Sequence, residues 1–161
     1  MRLIALGFVV VTLMTATPAP AQSVGETIDV QGWKVHLEKN ADGSATCAAM
    51  WTFDDESAVG FAADTNKNTF LIVSEPEAEL VKNRKYEVNY GVDGGKTRRV
   101  MAVATSKVML VVPIGDPDAD FAAFGRAKAI NVEFGGESYD EPLQKARGAI
   151  QALGRCVAGA P

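Results

Sequence analysis

The sequence predicts a mainly β protein, a β-sandwich or open barrel of about eight antiparallel strands with a C-terminal amphipathic helix packed on it. Three observations lead there. Apolar and polar residues alternate along most of the chain, the period expected of half-buried strands. Clusters of turn-forming residues interrupt that alternation at short intervals, Asp93-Gly94-Gly95 among them. Only the last stretch carries a sustained helical stripe, at Leu143, Ala146, Ile150, Leu153 and Val157. An α+β layer, with both helices on one face of a single sheet, satisfies the same pattern and is the alternative.

After a short polar start, Ile28 and Val30, then Trp33, Val35 and Leu37, alternate with Lys34, His36 and Glu38. The turn cluster at residues 40–44 leads into a second run, in which Cys47, Ala49, Trp51 and Phe53 share one face. Residues 59–63 and 69–74 read as the next strand pair. Residues 75–84 form a polar connection with one helical turn around Glu77 to Val81. Tyr86, Val88, Tyr90 and Val92 alternate up to Asp93-Gly94, where both turn residues need positive φ, and residues 98–105 lead back. Residues 107–114 are nearly continuously apolar and read as a central strand, broken at Gly115-Asp116-Pro117-Asp118. Residues 119–128 have helical composition behind capping aspartates. Residues 130–134 and 138–140 form a hairpin about Gly135-Gly136. The closing helix has Pro142 in its first turn and Cys156 in its last.

Residues 1–21 resemble a secretory signal peptide. Arg2 supplies the positive start, residues 3–14 an apolar run, and Ala19-Pro20-Ala21 an A-x-A cleavage pattern. The run is well short of the roughly 20 apolar residues of a spanning helix. Cleavage is expected before Gln22, leaving residues 22–161 as a single β-rich domain in the periplasm or outside a Gram-negative cell. Of the 16 basic and 20 acidic residues, Arg2 alone falls in the leader, so the remainder is mildly acidic. That balance argues against nucleic acid, whose phosphates need clustered Lys and Arg. The only basic cluster, Lys96 with Arg98-Arg99, is expected on the solvated side of a hairpin. No second segment approaches membrane-spanning length.

Two cysteines in an exported chain allow one pairing, Cys47 with Cys156. It closes a loop of roughly 110 residues, for which chain entropy alone gives about 4–5 kcal/mol. Two separate buried thiols are the alternative. A redox-active pair would want C-x-x-C spacing, which is not present.

The residues with reactive or ligating side chains resolve into structural roles. His36 is the sole histidine and lies on the polar face of its strand, so a His/Cys zinc site lacks ligands. Asp116, Asp118 and Asp120 have the spacing that opens a calcium loop. Its sixth and twelfth positions need glycine and a bidentate acid, and Phe121 and Ala127 stand there. The three aspartates instead suit the free N–H groups of the following helix. Asp54-Asp55-Glu56 offers paired carboxylates for glycoside cleavage, but adjacent acids at a strand end more commonly make a solvated turn. Trp33, Trp51, Tyr86 and Tyr90 would suit a sugar or peptide groove, though on alternating strands such rings are usually packing partners. The sequence therefore predicts no catalytic residue, no cofactor and no metal site.

From Tyr86 onward the layout resembles the invasion-associated locus B (IalB-like) family of exported alphaproteobacterial proteins. The similarity runs through the strand into Val92-Asp93-Gly94-Gly95, the apolar strand to Ile114, the helix from Phe121, the strand Ile130 to Phe134, and the small-residue helix Leu143 to Leu153. Trp33 and Cys47 echo the family's early Trp and Cys. The chain departs from the family in having only two cysteines and a longer Trp–Cys spacing. The resemblance implies a periplasmic or secreted β-sandwich without catalytic residues, linked to envelope or host contact. Three functions are compatible: a non-catalytic exported domain acting on a protein or envelope component; a secreted inhibitor or immunity-type protein blocking a cell-wall hydrolase; and a small enzyme using carboxylates.

Overall fold

A computed structural model describes residues 25–160. The expected signal peptide and its cleavage site lie outside the described residues. The chain runs β1 (Thr27–Val30), β2 (Trp33–Lys39), β3 (Ala45–Thr52), β4 (Ala58–Asp64) and β5 (Thr69–Ser74). It continues with β6 (Lys85–Val92), β7 (Arg98–Ala104), β8 (Met109–Pro113), α1 (Pro117–Phe124), β9 (Ala129–Phe134), β10 (Glu137–Pro142) and α2 (Ala146–Gly159).

All ten strands belong to one antiparallel sheet, ordered β1-β2-β3-β4-β5-β8-β7-β6-β9-β10. The first five follow one another as a meander. The chain then crosses to β6 and returns through β7 and β8, so that β8 completes the edge left by β5. Residues 75–84 carry this crossing. They contain turns but no helix, so the helical turn expected around Glu77 does not form. Their backbone instead bonds to the β7–β8 region, Glu75 N to Val108 O and Leu80 N to Lys107 O.

Tight turns set the register. Gln31-Gly32, Asp93-Gly94 and Gly135-Gly136 all take positive φ, the twist that two-residue hairpins require. At Gly32 a side chain is also excluded by space, because a Cβ there would lie 2.6 Å from the Trp51 ring.

The sheet curls without closing. Phe124 of α1 stacks on Phe61 of β4 at 5.3 Å and meets Tyr90 of β6 at 6.2 Å. Those strands stand four places apart in the order, a span of roughly 19 Å if the sheet were flat. One core therefore collects the inward residues of both halves, from Trp33, Val35 and Leu37 to Val88, Ile130 and Val132. The open-barrel form of the expected fold is the one adopted, with ten strands where about eight were expected. Both helices lie on the concave side, a feature of the alternative layout.

The closing helix differs from its sequence reading in start and in face. It begins at Ala146, because Pro142 ends β10 and Lys145 turns the chain at φ 58. Ala146, Ala149, Ala152, Leu153 and Cys156 are buried, and the small side chains let the helix lie close to β2, β3 and β4. Ile150 and Val157, expected in the core stripe, are only half-buried. Similarly, α1 starts at Pro117 and stops at Phe124, four residues before the expected end, where Gly125 packs against Arg147 of α2.

Candidate functional site

Cys47 and Cys156 form a disulfide with Cα atoms 6.0 Å apart, fixing the last turn of α2 to β3. Trp33 strengthens the same closure. It is fully buried, stacks on Phe61 at 5.4 Å, and donates from Nε1 to Gln144 O at 2.8 Å. Trp33 lies near one end of the sheet and Gln144 follows the strand at the other, so this bond spans the opening.

The remaining aromatics singled out by the sequence are packing partners. Tyr90 is buried, while Trp51 and Tyr86 are half-buried. Tyr86 accepts a hydrogen bond from Val81 N at 2.8 Å and carries Arg84 over its ring. His36 is partly exposed, 3.8 Å from Glu38 Oε1. Among the described residues, no three His, Cys, Asp or Glu side chains are placed to share a metal ion.

The aspartates around α1 have three different fates. Asp116 is the N-cap and accepts from Ala119 N at 3.2 Å. Asp118 is exposed in the first turn. Asp120 is not a helix-terminus acceptor as expected: it is buried, meets Arg98 at 2.8 Å, and accepts from Tyr90 Oη at 3.2 Å. Burial first, then the charge of Asp120, pushes the Tyr90 phenol up to about 12. Arg98 remains exposed at the edge of the hairpin, as expected, while its guanidinium reaches from β7 onto α1. Arg99 shares that exposure, paired with Glu87.

Two features of the surface remain. The first is an apolar depression of about 510 Å³ between α1, α2 and the β4–β5 turn, lined by Ala63, Phe121, Ile150, Leu153 and Val157. A second depression of about 290 Å³ shares Phe121 and Ile150 with it and extends to Arg126 and Arg147. Both arginines are exposed, and among the described residues neither has an acidic partner within 4.0 Å. The groove exists because α2 buries its alanine face and leaves Ile150 and Val157 to one side.

The second feature is a pair of buried acids. Glu75 follows β5 and is 9% exposed; Glu141, on β10, is 7% exposed. Carboxylates only accept hydrogen bonds, and among the described residues none donates to Glu75 Oε1. Protonated, Glu75 can instead donate to Glu141. Burial above all, then that hydrogen bond and the charges of Glu141, Asp55 and Glu77, pushes Glu75 up to about 7. Glu141 is raised as well, chiefly by burial and further by Asp55 and Asp140, against the lowering effect of its bond with Glu75. Asp55 does make the expected turn, accepting from Ser57 N and Oγ at 3.0 and 2.7 Å. It also stands close enough to act on both glutamates. Beside them Tyr139 stacks on Phe134 at 4.9 Å and donates to Glu137.

A half-open antiparallel sheet curled around two helices and latched by one disulfide defines a class of β-rich scaffold. A solved structure shares it: the crystal structure of invasion associated protein B from Bartonella henselae superposes with a TM-score of 0.52, covering 80% of this chain and 96% of that one. At 17% identity this likeness establishes the fold. No family model matches the chain, and no curated protein matches it.

Proposed function

We propose that this is an exported binding domain that acts by contact with a protein of the cell envelope or its surroundings, through the α1–α2 groove. The observation that carries the reading is the pair Ile150 and Val157, which sit half-buried at the edge of the core and line an apolar depression. The adjoining depression, which shares Phe121 and Ile150 with it, carries Arg126 and Arg147, without acidic partners among the described residues. Burial of apolar area drives association, while desolvated charges select the partner. The occupant is accordingly a protein segment with apolar side chains and acidic residues at one end. Export is supported by the leader-like residues 1–21, by the disulfide, and by the likeness to a protein described as invasion associated.

A photo-crosslinking residue at Gln151, on the groove rim, tests this in producing cells. The expected result is a discrete protein adduct that disappears when Arg126→Glu and Arg147→Glu are combined. No adduct, or one indifferent to the charge reversal, overturns the reading. If the adduct is a cell-wall hydrolase, the contact is inhibitory. The intact mass of the exported chain should begin at Gln22 and fall short of the reduced form by two hydrogens.

A further inference from the structure

We propose that the rim of the sheet formed by residues 80–85 and 105–108, with the outer face of β7 beside it, is a docking surface for an anionic phospholipid bilayer. This patch shares no residue with the α1–α2 groove and does not depend on it.

Exposed apolar side chains are concentrated at this rim. Four large apolar residues are exposed among the described residues, and three of them belong here: Val81 at 56%, Met101 at 50% and Val103 at 36%. Backbone bonds hold the pieces together. Leu80 N donates to Lys107 O and Asn83 N to Ala104 O, which sets the crossing segment beside the β7–β8 turn. Val103 pairs with Lys85 and Met101 with Glu87, so these side chains share the outer face of the sheet. Half-buried Val111 and Ile72 continue the Val103 row across β8 and β5.

Cations surround this apolar surface. Lys82, Arg84, Lys85 and Lys107 are all exposed. Among the described residues none of the four has an acidic partner within 4.0 Å, and Arg84 lies over the Tyr86 ring instead. Against them stand exposed Glu79 and Glu87, the second already neutralised by Arg99. The local excess is therefore positive on a chain that is acidic overall.

An anionic bilayer answers both properties. Its surface potential attracts each lysine and arginine, while apolar side chains enter the headgroup boundary. Lysine stems suit that boundary, because the methylenes follow the apolar side chains inward as the ammonium stays with the phosphates. A protein partner fits less well. Protein interfaces are depleted in lysine, and their strongest contacts sit in well-packed pockets. Here Val81 and Lys82 stand instead on a tight turn, closed by Arg84 N on Val81 O with Asn83 at φ 67.

Flotation of the exported chain with vesicles tests this, comparing phosphatidylcholine alone with a mixture containing about one third phosphatidylglycerol. The expected result is binding to the anionic vesicles at low salt, at least about tenfold stronger than to the neutral ones, and lost at about 0.5 M salt. Lys82→Glu combined with Lys85→Glu should weaken it at least about tenfold. Val81→Ser combined with Met101→Ser should weaken it about fivefold or more, with an unchanged circular dichroism spectrum. In a Val81→Trp chain the added indole should shift its emission to the blue, and be quenched by brominated lipid, with anionic vesicles only. The Arg126→Glu, Arg147→Glu chain should float as wild type does, which separates failure here from failure of the groove reading. No flotation, equal binding to neutral and anionic vesicles, or indifference to the lysine reversals overturns the proposal. So does binding of polyglutamate that needs the lysines but not Val81 and Met101, which would mark an acidic protein segment as the partner.

Discussion

Replacing Glu75 with Gln probes the buried acid pair through folding. In the folded chain Glu75 is pushed up to about 7 from an ordinary 4.5, first by burial and then by Glu141 and the other acids. Unfolding returns it to water and to its ordinary value. Between those two values the folded chain holds a proton that the unfolded chain does not, so stability must fall as pH rises. The contribution is fully present below about pH 4.5 and is gone above about pH 7. At about 1.36 kcal/mol for each pH unit, the interval amounts to about 3 kcal/mol, an upper figure because ionised carboxylates can relax toward solvent. Gln cannot ionise, and its amide donates to Glu141 much as the protonated acid does. The variant should match wild type near pH 4.5 and exceed it by about 2–3 kcal/mol near pH 8. Urea denaturation followed by fluorescence of Trp33 and Trp51 measures both proteins, and their difference cancels the titration of all other groups. A difference that is constant with pH, or that moves in favour of wild type as pH rises, would refute the reasoning.

The other predictions concern closure and packing. Joining positions 109 apart, the disulfide should contribute about 3–5 kcal/mol, so a Cys47→Ala, Cys156→Ala chain should show a sharply lower denaturation midpoint; a loss under about 1 kcal/mol would mean the loop is already constrained without it. Asp120→Asn removes the charge that helps hold the Tyr90 phenol near 12, so the tyrosine absorbance titration should move downward, and an unmoved curve would leave burial as the whole cause. Gly32→Ala combines φ +100 with a Cβ 2.6 Å from Trp51, whereas Gly43→Ala at φ +86 meets open space. The first should cost about 2 kcal/mol or more and the second about 1, measured by thermal unfolding; equal losses would show that Trp51 gives way freely.

Much of the strand content was legible because alternation is a local signal. Val35, Leu37 and Ala49 could be assigned inward without knowing any partner strand, and the pairs Leu37↔Cys47 and Ala49↔Phe61 agree with that. Alternation also puts Tyr139 and Glu141 on one face of β10, so an inward acid could have been read there. What alternation cannot supply is the acid opposite it. Glu75 lies in a polar crossing segment with no period at all, and only the curl of the sheet brings the two together. Asp120 was misread for the same reason: its own element offered it free helix N–H groups, and only the packing of α1 on the sheet brings Tyr90 and the exposed Arg98 to it. On α2 the helical stripe was correct as a period and too broad as a face: alanines took the core, leaving the bulkier Ile150 and Val157 to line the groove.

Sequence by itself therefore determined the class of the fold, its hairpins and the partner of each cysteine, because these follow from side-chain period, backbone sterics at glycine and the count of thiols. Tertiary structure alone decided the strand order, the buried acid pair, the Arg98–Asp120 contact and the open groove. Each of those depends on distance between elements remote in the chain, and such distances are set by the collective packing of the curled sheet on its two helices, which no local pattern encodes.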